Sequence, residues 1–467
     1  MSKNRRMPMK SLRCRASHCW MALLAGVTVL WIPLGAGAGD DHPSLSMTEA
    51  ISTALQHNPQ VQAVRHQVDA AIAQVTMARS GLLPQLDASE SFNRTTSPLW
   101  SFGTKLNQGV ITEQDFIPDR LNNPDPINNF RTALTLTWSL FDGGRTWIGW
   151  QQARRNEQAG ILALKRTQQS IIAQTAIAYM SCLLAEENLS VVVQALDTAR
   201  AHQKVVEDRQ RSGMAVKSDL LRAQVRIADL EQQRLQAHSQ VRVALAMLGA
   251  VMGKPEQVPA NARLAQPSEY GAIQGELDEW IRRALHERPD LEQLAIQQEI
   301  ARQEVARARS GHHPTLALQG EYEINTESFD DSKDNYTVGA VLRMNLYSGQ
   351  RISAQIAEAK ATLAKIKSMQ TGLELGVRVD TQKAFYQAHS ARQSIQVAQT
   401  AVDQAQEGLR IVTNRYENGL LPVVSLLDAQ VALQQAQTQH FRALHDYQVA
   451  RISLSLASGV IDQSVFP

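Results

Sequence analysis

The sequence is poor in cysteine and in aromatic residues. Only three cysteines occur in 467 residues, and two of them, Cys14 and Cys19, lie among the first twenty positions. Cys182 then has no partner within the rest of the chain, so no intramolecular disulfide is expected, and we interpret Cys182 as a small apolar helix residue. Aromatic residues make up 5% of the chain. This composition favours closely packed helices over a thick globular core.

The sequence also lacks the motifs of common enzyme classes. It contains no phosphate-binding glycine loop, no Gly-x-Ser-x-Gly elbow and no His-Glu-x-x-His motif. His312 and His313 have no acidic or cysteine partner at metal-ligand spacing and are interpreted as loop residues. We therefore expect no enzyme activity, no metal and no other cofactor.

The first 38 residues have the pattern of a secretory signal peptide. A basic start precedes an apolar run from about Cys19 to Leu34, and small residues follow up to Ala38. We expect cleavage near Ala38; the alternative is a retained membrane anchor, against which Pro33 and the shortness of the run argue. No cysteine follows the run in a lipid-attachment pattern, so no lipid anchor is expected. Cleavage removes six basic residues and no acidic one, which changes the net charge from +2 to −4, so charge does not indicate nucleic-acid binding.

Proline is absent from two long helical patterns. These run from Arg145 to Arg211 and from Arg351 to Glu417, 67 residues each. An unbroken helix of that length spans about 100 Å, which is typical of a rod or tube and not of a compact globular domain. Each pattern is followed by a turn and by a returning helix of roughly 35 residues.

Those two rods belong to a tandem repeat. Arg209 to Val225 and Arg415 to Val431 match at a spacing of 206 residues, and Ala-Arg-Ser-Gly occurs at positions 78–81 and again at 308–311. We predict repeats at 39–253 and 276–467, separated by a linker at 254–275. In the second copy we expect one helix to end at Gly419, the chain to turn through Pro422, and the next helix to restart near Ser425.

Alternating apolar and polar residues predict two strands in each repeat. The predicted strands cover about 85–94 and 131–142 in the first repeat, and about 315–324 and 336–347 in the second. Runs of about ten residues can cross a bilayer when tilted, although a half-buried soluble sheet alternates in the same way. Long polar loops are expected at about 94–130 and 325–335. Since lipid does not tolerate open sheet edges and a closed barrel needs about eight strands, four membrane strands would require several copies to share one barrel.

These features resemble the TolC-like outer-membrane efflux (channel-tunnel) proteins over essentially the whole chain after residue 38. The resemblance rests on the repeat, the Ala-Arg-Ser-Gly-x-x-Pro junctions, Leu-Phe-Asp-Gly-Gly at 140–144 and Arg-Tyr-x-x-Gly…Leu-Leu-Asp-Ala-Gln at 415–430. It implies a mixed α/β membrane protein. In that architecture a homotrimer builds a twelve-strand β-barrel in outer-membrane lipid and an α-barrel of long antiparallel helices in the periplasm of a Gram-negative bacterium. The implied function is a passive exit duct served by a periplasmic adaptor and an inner-membrane pump.

The resemblance also implies a gate at the helix tips. Asp428 matches a carboxylate that rings the periplasmic constriction, and Ser425 stands where a second carboxylate ring occurs in the family. Asp219 and Tyr416 match partners of a polar lock, whereas Leu421 replaces its arginine, so we expect one carboxylate ring and a weaker lock. Three carboxylates around one axis would attract cations. The alternatives are that Asp428 only solvates or caps its helix, that Asp219 belongs to a plain N-cap, and that Tyr416 is a packing residue.

The tips are also the expected docking surface for the adaptor. Eight residues of the two turns form this predicted surface: Arg209, Gly213, Leu220, Leu221, Arg415, Gly419, Leu426 and Leu427. The competing hypothesis for the whole chain is a soluble periplasmic coiled-coil adaptor or scaffold without a pore. Two complete repeats, each with a strand pair of bilayer length, favour the duct.

Overall fold

The first repeat contains four shorter helices, two strands and two long helices. The computed structural model describes residues 45–258, 262–266, 273–328 and 331–463, so the predicted signal peptide and part of the predicted linker lie outside the described residues. The elements of the first repeat are α1 (Met47–His57), α2 (Pro59–Ser80), β1 (Gln85–Thr95), α3 (Pro98–Gln108), α4 (Pro118–Asn122), β2 (Ile127–Phe141), α5 (Arg145–Arg211) and α6 (Lys217–Met252).

The second repeat follows the same order without the two helices of the first loop. Its elements are α7 (Leu277–Glu287), α8 (Pro289–Arg309), β3 (Thr315–Thr326), β4 (Ser332–Arg343), α9 (Arg351–Glu417) and α10 (Val423–Ala457). The two rods predicted from the absence of proline are confirmed as α5 and α9, each 67 residues long. The returning helices α6 and α10 have 36 and 35 residues.

The strands differ from the prediction at their ends. β2 begins at Ile127 and β4 at Ser332, each four residues before the predicted start, and β4 ends at Arg343, four residues before the predicted end. The ladder from β3 to β4 continues through Asn325 opposite Lys333 and Thr326 opposite Ser332. Backbone hydrogen bonds carry the hairpin beyond the segment in which apolar residues alternate, and periodicity cannot detect that extension.

The first predicted loop is also more structured than expected. Residues 98–108 form the helix α3, which begins with Pro98 and ends at Gly109 with a left-handed φ of 66°. Buried Gln108 donates hydrogen bonds to the carbonyl oxygen of Asn128 and to the side chain of Asn129, at 2.8 and 2.9 Å. These bonds hold α3 against the end of the sheet.

The four strands form one antiparallel sheet in the order β1-β2-β3-β4. One face carries polar and charged residues, among them Arg131, which pairs with Glu321 and Glu323. The opposite face is apolar and exposed in the single chain; it includes Leu86, Phe92, Leu134, Tyr336, Val338 and Leu342. Glu90 interrupts this face and bonds to Thr132. Within the described chain, β1 and β4 each have one neighbouring strand, so both sheet edges are open.

The four long helices lie side by side in the order α6-α5-α10-α9. α10 packs along both α5 and α9, while α6 packs mainly along α5. The main apolar core lies where α1 meets α5, α6 and the end of α10; Tyr179 is fully buried there, with its hydroxyl 2.7 Å from the carbonyl oxygens of Leu45 and Ala265. Burial raises the pKa of Cys182, in the same core, to about 12, which agrees with an inert apolar position.

The repeats also share a contact at the end of each returning helix. Asn58 donates a hydrogen bond to the carbonyl oxygen of Val251 at 2.7 Å, and Arg288 donates to that of Ala457 at 3.4 Å. Asn58 and Arg288 occupy equivalent positions before α2 and α8, and Val251 and Ala457 occupy equivalent positions on α6 and α10. The duplication therefore extends from the backbone to tertiary contacts made by different side chains.

Candidate functional site at the helix tips

The two turns that join the long helices have the same backbone hydrogen bonds. Gly213 donates to Gln210 at 3.0 Å and Met214 to Arg209 at 2.8 Å; Gly419 donates to Tyr416 at 3.0 Å and Leu420 to Arg415 at 2.8 Å. This pair of bonds is the Schellman motif, which satisfies carbonyl groups at a helix end. It requires a left-handed residue, and the φ angles of Gly213 and Gly419 are 76° and 75°.

The returning helices start slightly earlier than predicted. α10 begins at Val423 after Pro422, two residues before Ser425, so the expected turn through Pro422 and restart near Ser425 are confirmed. α6 begins at Lys217 after Val216, with no side-chain cap, so Asp219 is not part of a plain N-cap. The residue before each returning helix has an extended backbone, with ψ 155° at Val216 and ψ 158° at Pro422.

A small apolar cluster holds the second tip against the first rod. Val206 of α5, Tyr416 of α9, and Val423 and Leu426 of α10 are buried together, and we call this set the second-tip core. Val206 and Leu426 are fully buried, so the prediction that Leu426 belongs to an exposed docking surface is wrong. Burial also raises the pKa of the Tyr416 hydroxyl, and the ring packs within this cluster.

Arg209 joins the two tips within one chain. Its Nη1 donates to the carbonyl oxygen of Tyr416 at 2.8 Å, and its Nη2 donates to that of Glu417. The guanidinium carbon also lies 4.7 Å from the centre of the Tyr416 ring. The fork of Arg209 therefore satisfies the last carbonyl groups of α9 while it stacks on an aromatic face.

The predicted gate residues all lie at these tips. Asp428 is exposed, whereas Ser425, Leu421 and Asp219 are partly exposed. Ser425 and Asp428 are three residues apart on α10 and share one face of the helix. The described hydrogen bonds include none between Tyr416 and Asp219, since the ring faces Arg209.

A second polar link joins the two helical hairpins, α5–α6 and α9–α10, farther from the turns. Arg226 donates to Gln434 at 2.5 Å, and Gln434 donates to Gln233 at 2.8 Å, so α6 and α10 are bonded directly. Arg226 also pairs with Asp229 at 2.9 Å. The sequence prediction did not include this link, because arginine and glutamine on a long polar helix carry no signal that distinguishes a buried bond from a solvated face. Among the described residues, no group of three or more His, Cys, Asp or Glu side chains is placed to hold a metal ion.

Comparison with known families identifies the architecture. The sequence pattern of the outer membrane efflux protein family matches residues 50–254 and 280–460, which is most of the chain. The chain belongs to this family. The efflux protein is 23% identical over 439 residues to the proteases secretion protein PrtF of Dickeya chrysanthemi, covering 91% of this chain and 90% of the relative. It is 24% identical over 439 residues to the outer membrane protein TolC of Salmonella enteritidis, covering 90% and 84%.

Solved structures share the fold of the efflux protein. The Campylobacter jejuni CmeC outer membrane channel aligns with a TM-score of 0.76 at 17% identity, covering 90% of this chain and 88% of that one. The predicted fold class, long helices with four strands per chain in the channel-tunnel architecture, is confirmed. The chain is an outer-membrane exit-duct component of an efflux or secretion system, and the alternative of a soluble adaptor is not supported.

Proposed function

We propose that three copies of the efflux protein form one passive duct. Each copy supplies four strands to a twelve-strand barrel in the outer membrane and four long helices to a tunnel in the periplasm. An eight-strand barrel from two copies would have a bore filled by side chains, whereas twelve strands leave room for a pore. The apolar face of the sheet then contacts lipid, and its polar face, with Arg131, Glu321 and Glu323, lines the duct.

The strongest support comes from equivalent residues of α5 and α9. Val191 of α5 is 4% exposed, but Val397, the same residue type at the equivalent position of α9, is 70% exposed. α5 has a returning helix on each side, α6 and α10, whereas α9 has only α10. A neighbouring copy that places its α6 beside α9 supplies the missing contact.

α6 carries the complementary apolar surface. Val225 of α6 is 70% exposed, while its equivalent Val431 on α10 is partly buried. A row of exposed apolar side chains follows α6, namely Leu221, Val225, Leu235, Val243 and Met247. Exposed apolar surface of this extent is typical of a protein interface. The open edges of β1 and β4 require pairing between copies in the same way.

The helix tips are the proposed periplasmic entrance. Three copies place three Asp428 carboxylates around one axis, with Ser425 on the same helix face and with Asp219, Tyr416 and Leu421 close to the turn. Such a ring favours cations and binds multivalent cations most strongly. The exposed turns at Gly213 and Gly419 are the proposed docking surface for a periplasmic adaptor, which links the duct to an inner-membrane pump that supplies the energy.

Export from the cytoplasm is proposed to use the signal peptide at 1–38, cleaved near Ala38, with no lipid anchor.

Single-channel currents in planar bilayers test the entrance. We expect Asp428→Asn to reduce cation selectivity and to weaken block by trivalent cations on the order of tenfold, because the ring loses its charge. Asp446→Asn is the matched control, since it makes the same change on α10 five turns away from the tip. Selectivity and block equal to those of the unmodified protein would remove Asp428 from the constriction.

A further inference from the structure

Arg415 is the repeat-two equivalent of Arg209, but its surroundings are different. Arg209 lies against the end of α9, where it donates to two carbonyl groups. Arg415 is exposed, and its side chain has no hydrogen bond, ion pair or ring contact within the part of the chain that the structure describes. The same backbone turn surrounds both arginines, so the difference lies in what stands beside them.

The partner that Arg415 lacks can be located from the repeat. Arg209 is on α5 and reaches the last carbonyls of α9, because α10 packs along α5. In the equivalent contact between copies, Arg415 of α9 reaches the last carbonyl groups of α5 in the neighbouring copy. The α6 helix of that neighbouring copy then packs along α9. Those carbonyls belong to Gln210 and Arg211, the equivalents of Tyr416 and Glu417.

We propose that Arg415 of one copy caps the C-terminus of α5 in the neighbouring copy by donating to the carbonyl oxygens of Gln210 and Arg211. This inference rests on the proposed trimer. The closed entrance would then hold six arginine caps, three within copies from Arg209 and three between copies from Arg415. The partner is a second copy of this chain, because the acceptor geometry is that of the turn already seen in the first contact.

The two kinds of cap differ in strength. The guanidinium of Arg209 stacks on the Tyr416 ring, but Gln210 offers Arg415 no aromatic ring. The cap between copies therefore lacks the cation–π attraction. When the entrance opens, the junctions between copies separate first, and the two hairpins of one copy stay together.

Cysteine pairs crosslinked with a short bis-maleimide test the contact in the full-length protein in membranes. On a Cys182→Ala background, the pair Arg415→Cys with Gln210→Cys should give covalent dimers and trimers. Arg209→Cys with Tyr416→Cys is the matched intramolecular control and should give only monomers. A third pair is taken from the contact between α5 and α10, in which Ser181 lies 3.4 Å from His445. In the other repeat, Gln387 on α9 is equivalent to Ser181, and Ser239 on α6 is equivalent to His445. Gln387→Cys with Ser239→Cys therefore reports whether α9 and α6 of different copies are adjacent.

The pairs separate failure of this inference from failure of the proposed trimer. Covalent trimers from both 415/210 and 387/239 support the cap. Trimers from 387/239 but monomers from 415/210 overturn the cap and leave the trimer standing. Monomers from both pairs overturn the cap together with the trimer from which it follows.

Resting conductance provides a second readout. Loss of a charged hydrogen-bond donor at each junction between copies should raise the open-state population about tenfold in Arg415→Gln. Arg415→Lys should restore little, because an ammonium group cannot span two carbonyls as the fork does. Gln210→Tyr should lower the open population about threefold by supplying the missing ring. Unchanged conductance in Arg415→Gln would overturn the inference even where the helices crosslink.

Discussion

The turn between α5 and α6 and the turn between α9 and α10 have matching hydrogen bonds, yet equivalent side chains are buried at the second turn and not at the first. Tyr416, Val423 and Leu426 of the second tip are buried against Val206 of the first rod. Their equivalents at the first tip are Gln210, Lys217 and Leu220, and none of these is buried. The duplicated backbone fixes the turn, and the side chains determine which residues of each tip are buried within the chain.

The largest effect is expected at Val191 and Val397, equivalent positions of the two rods that are 4% and 70% exposed. Val397→Asp should abolish assembly while the single chain remains folded, because it places a charge on the exposed side of α9 that a neighbouring copy covers in the proposed trimer. Val191→Asp, the matched variant, should prevent folding of the chain, since Val191 is 4% exposed. Size-exclusion chromatography in detergent, with circular dichroism, distinguishes the two outcomes. Trimeric Val397→Asp protein would show that this side of α9 is not an interface.

A smaller effect is expected within the tips. Leu426→Ala should cost about 3 kcal/mol of local stability, because a fully buried leucine leaves a cavity in the second-tip core. Amide exchange of residues 412–424 would then accelerate on the order of a hundredfold, as hydrogen-exchange mass spectrometry can measure.

Leu220→Ala is the control for that change. Its cost should be about 1 kcal/mol, because Leu220 is only partly buried where it packs against the second-tip core, whereas Leu426 is fully buried within it. Equal acceleration of exchange in the two variants would contradict a packed second tip and a looser first tip.

The smallest effect is expected for the shared glycines. Gly213→Ala and Gly419→Ala should each cost about 1 kcal/mol, because both positions have a left-handed φ. An added Cβ meets no atom within 4 Å at either position, so strain of the backbone is the only penalty. The two variants should shift the thermal unfolding midpoint equally. A clearly unequal shift would show that the turns are not equivalent in energy.

The long helices could be predicted because their boundaries are local. The absence of proline and the glycines at 213 and 419 define where α5 and α9 end, and those signals need no tertiary contact. α3 was missed although Pro98 at its start and Gly109 at its end are equally local signals. The many prolines of residues 94–130 favoured a loop, and the bonds from Gln108 to the sheet could not be anticipated from the sequence.

The contacts of the site were beyond sequence reasoning for a different reason. The positions of Tyr416 and Arg209 at the tips were predicted, but the cap joins residues 207 positions apart. That contact depends on which sides of α5 and α9 face each other at their ends. Over helices of 67 residues, small errors in the angle per residue accumulate, so the sequence does not define those sides. Exposure of Val397 and burial of Val191 likewise follow from the order of the helices and not from residue type, which is identical.

The number of chains in the assembly extracted from the outer membrane tests the proposed duct most directly. Native mass spectrometry of the detergent-solubilised protein should find three chains, because a closed ring covers α6 and α9 and pairs the edges of β1 and β4, and twelve strands leave room for a pore. A complex of two chains would supply eight strands and no open bore, and a monomer would leave both sheet edges unpaired. Either result would contradict the duct.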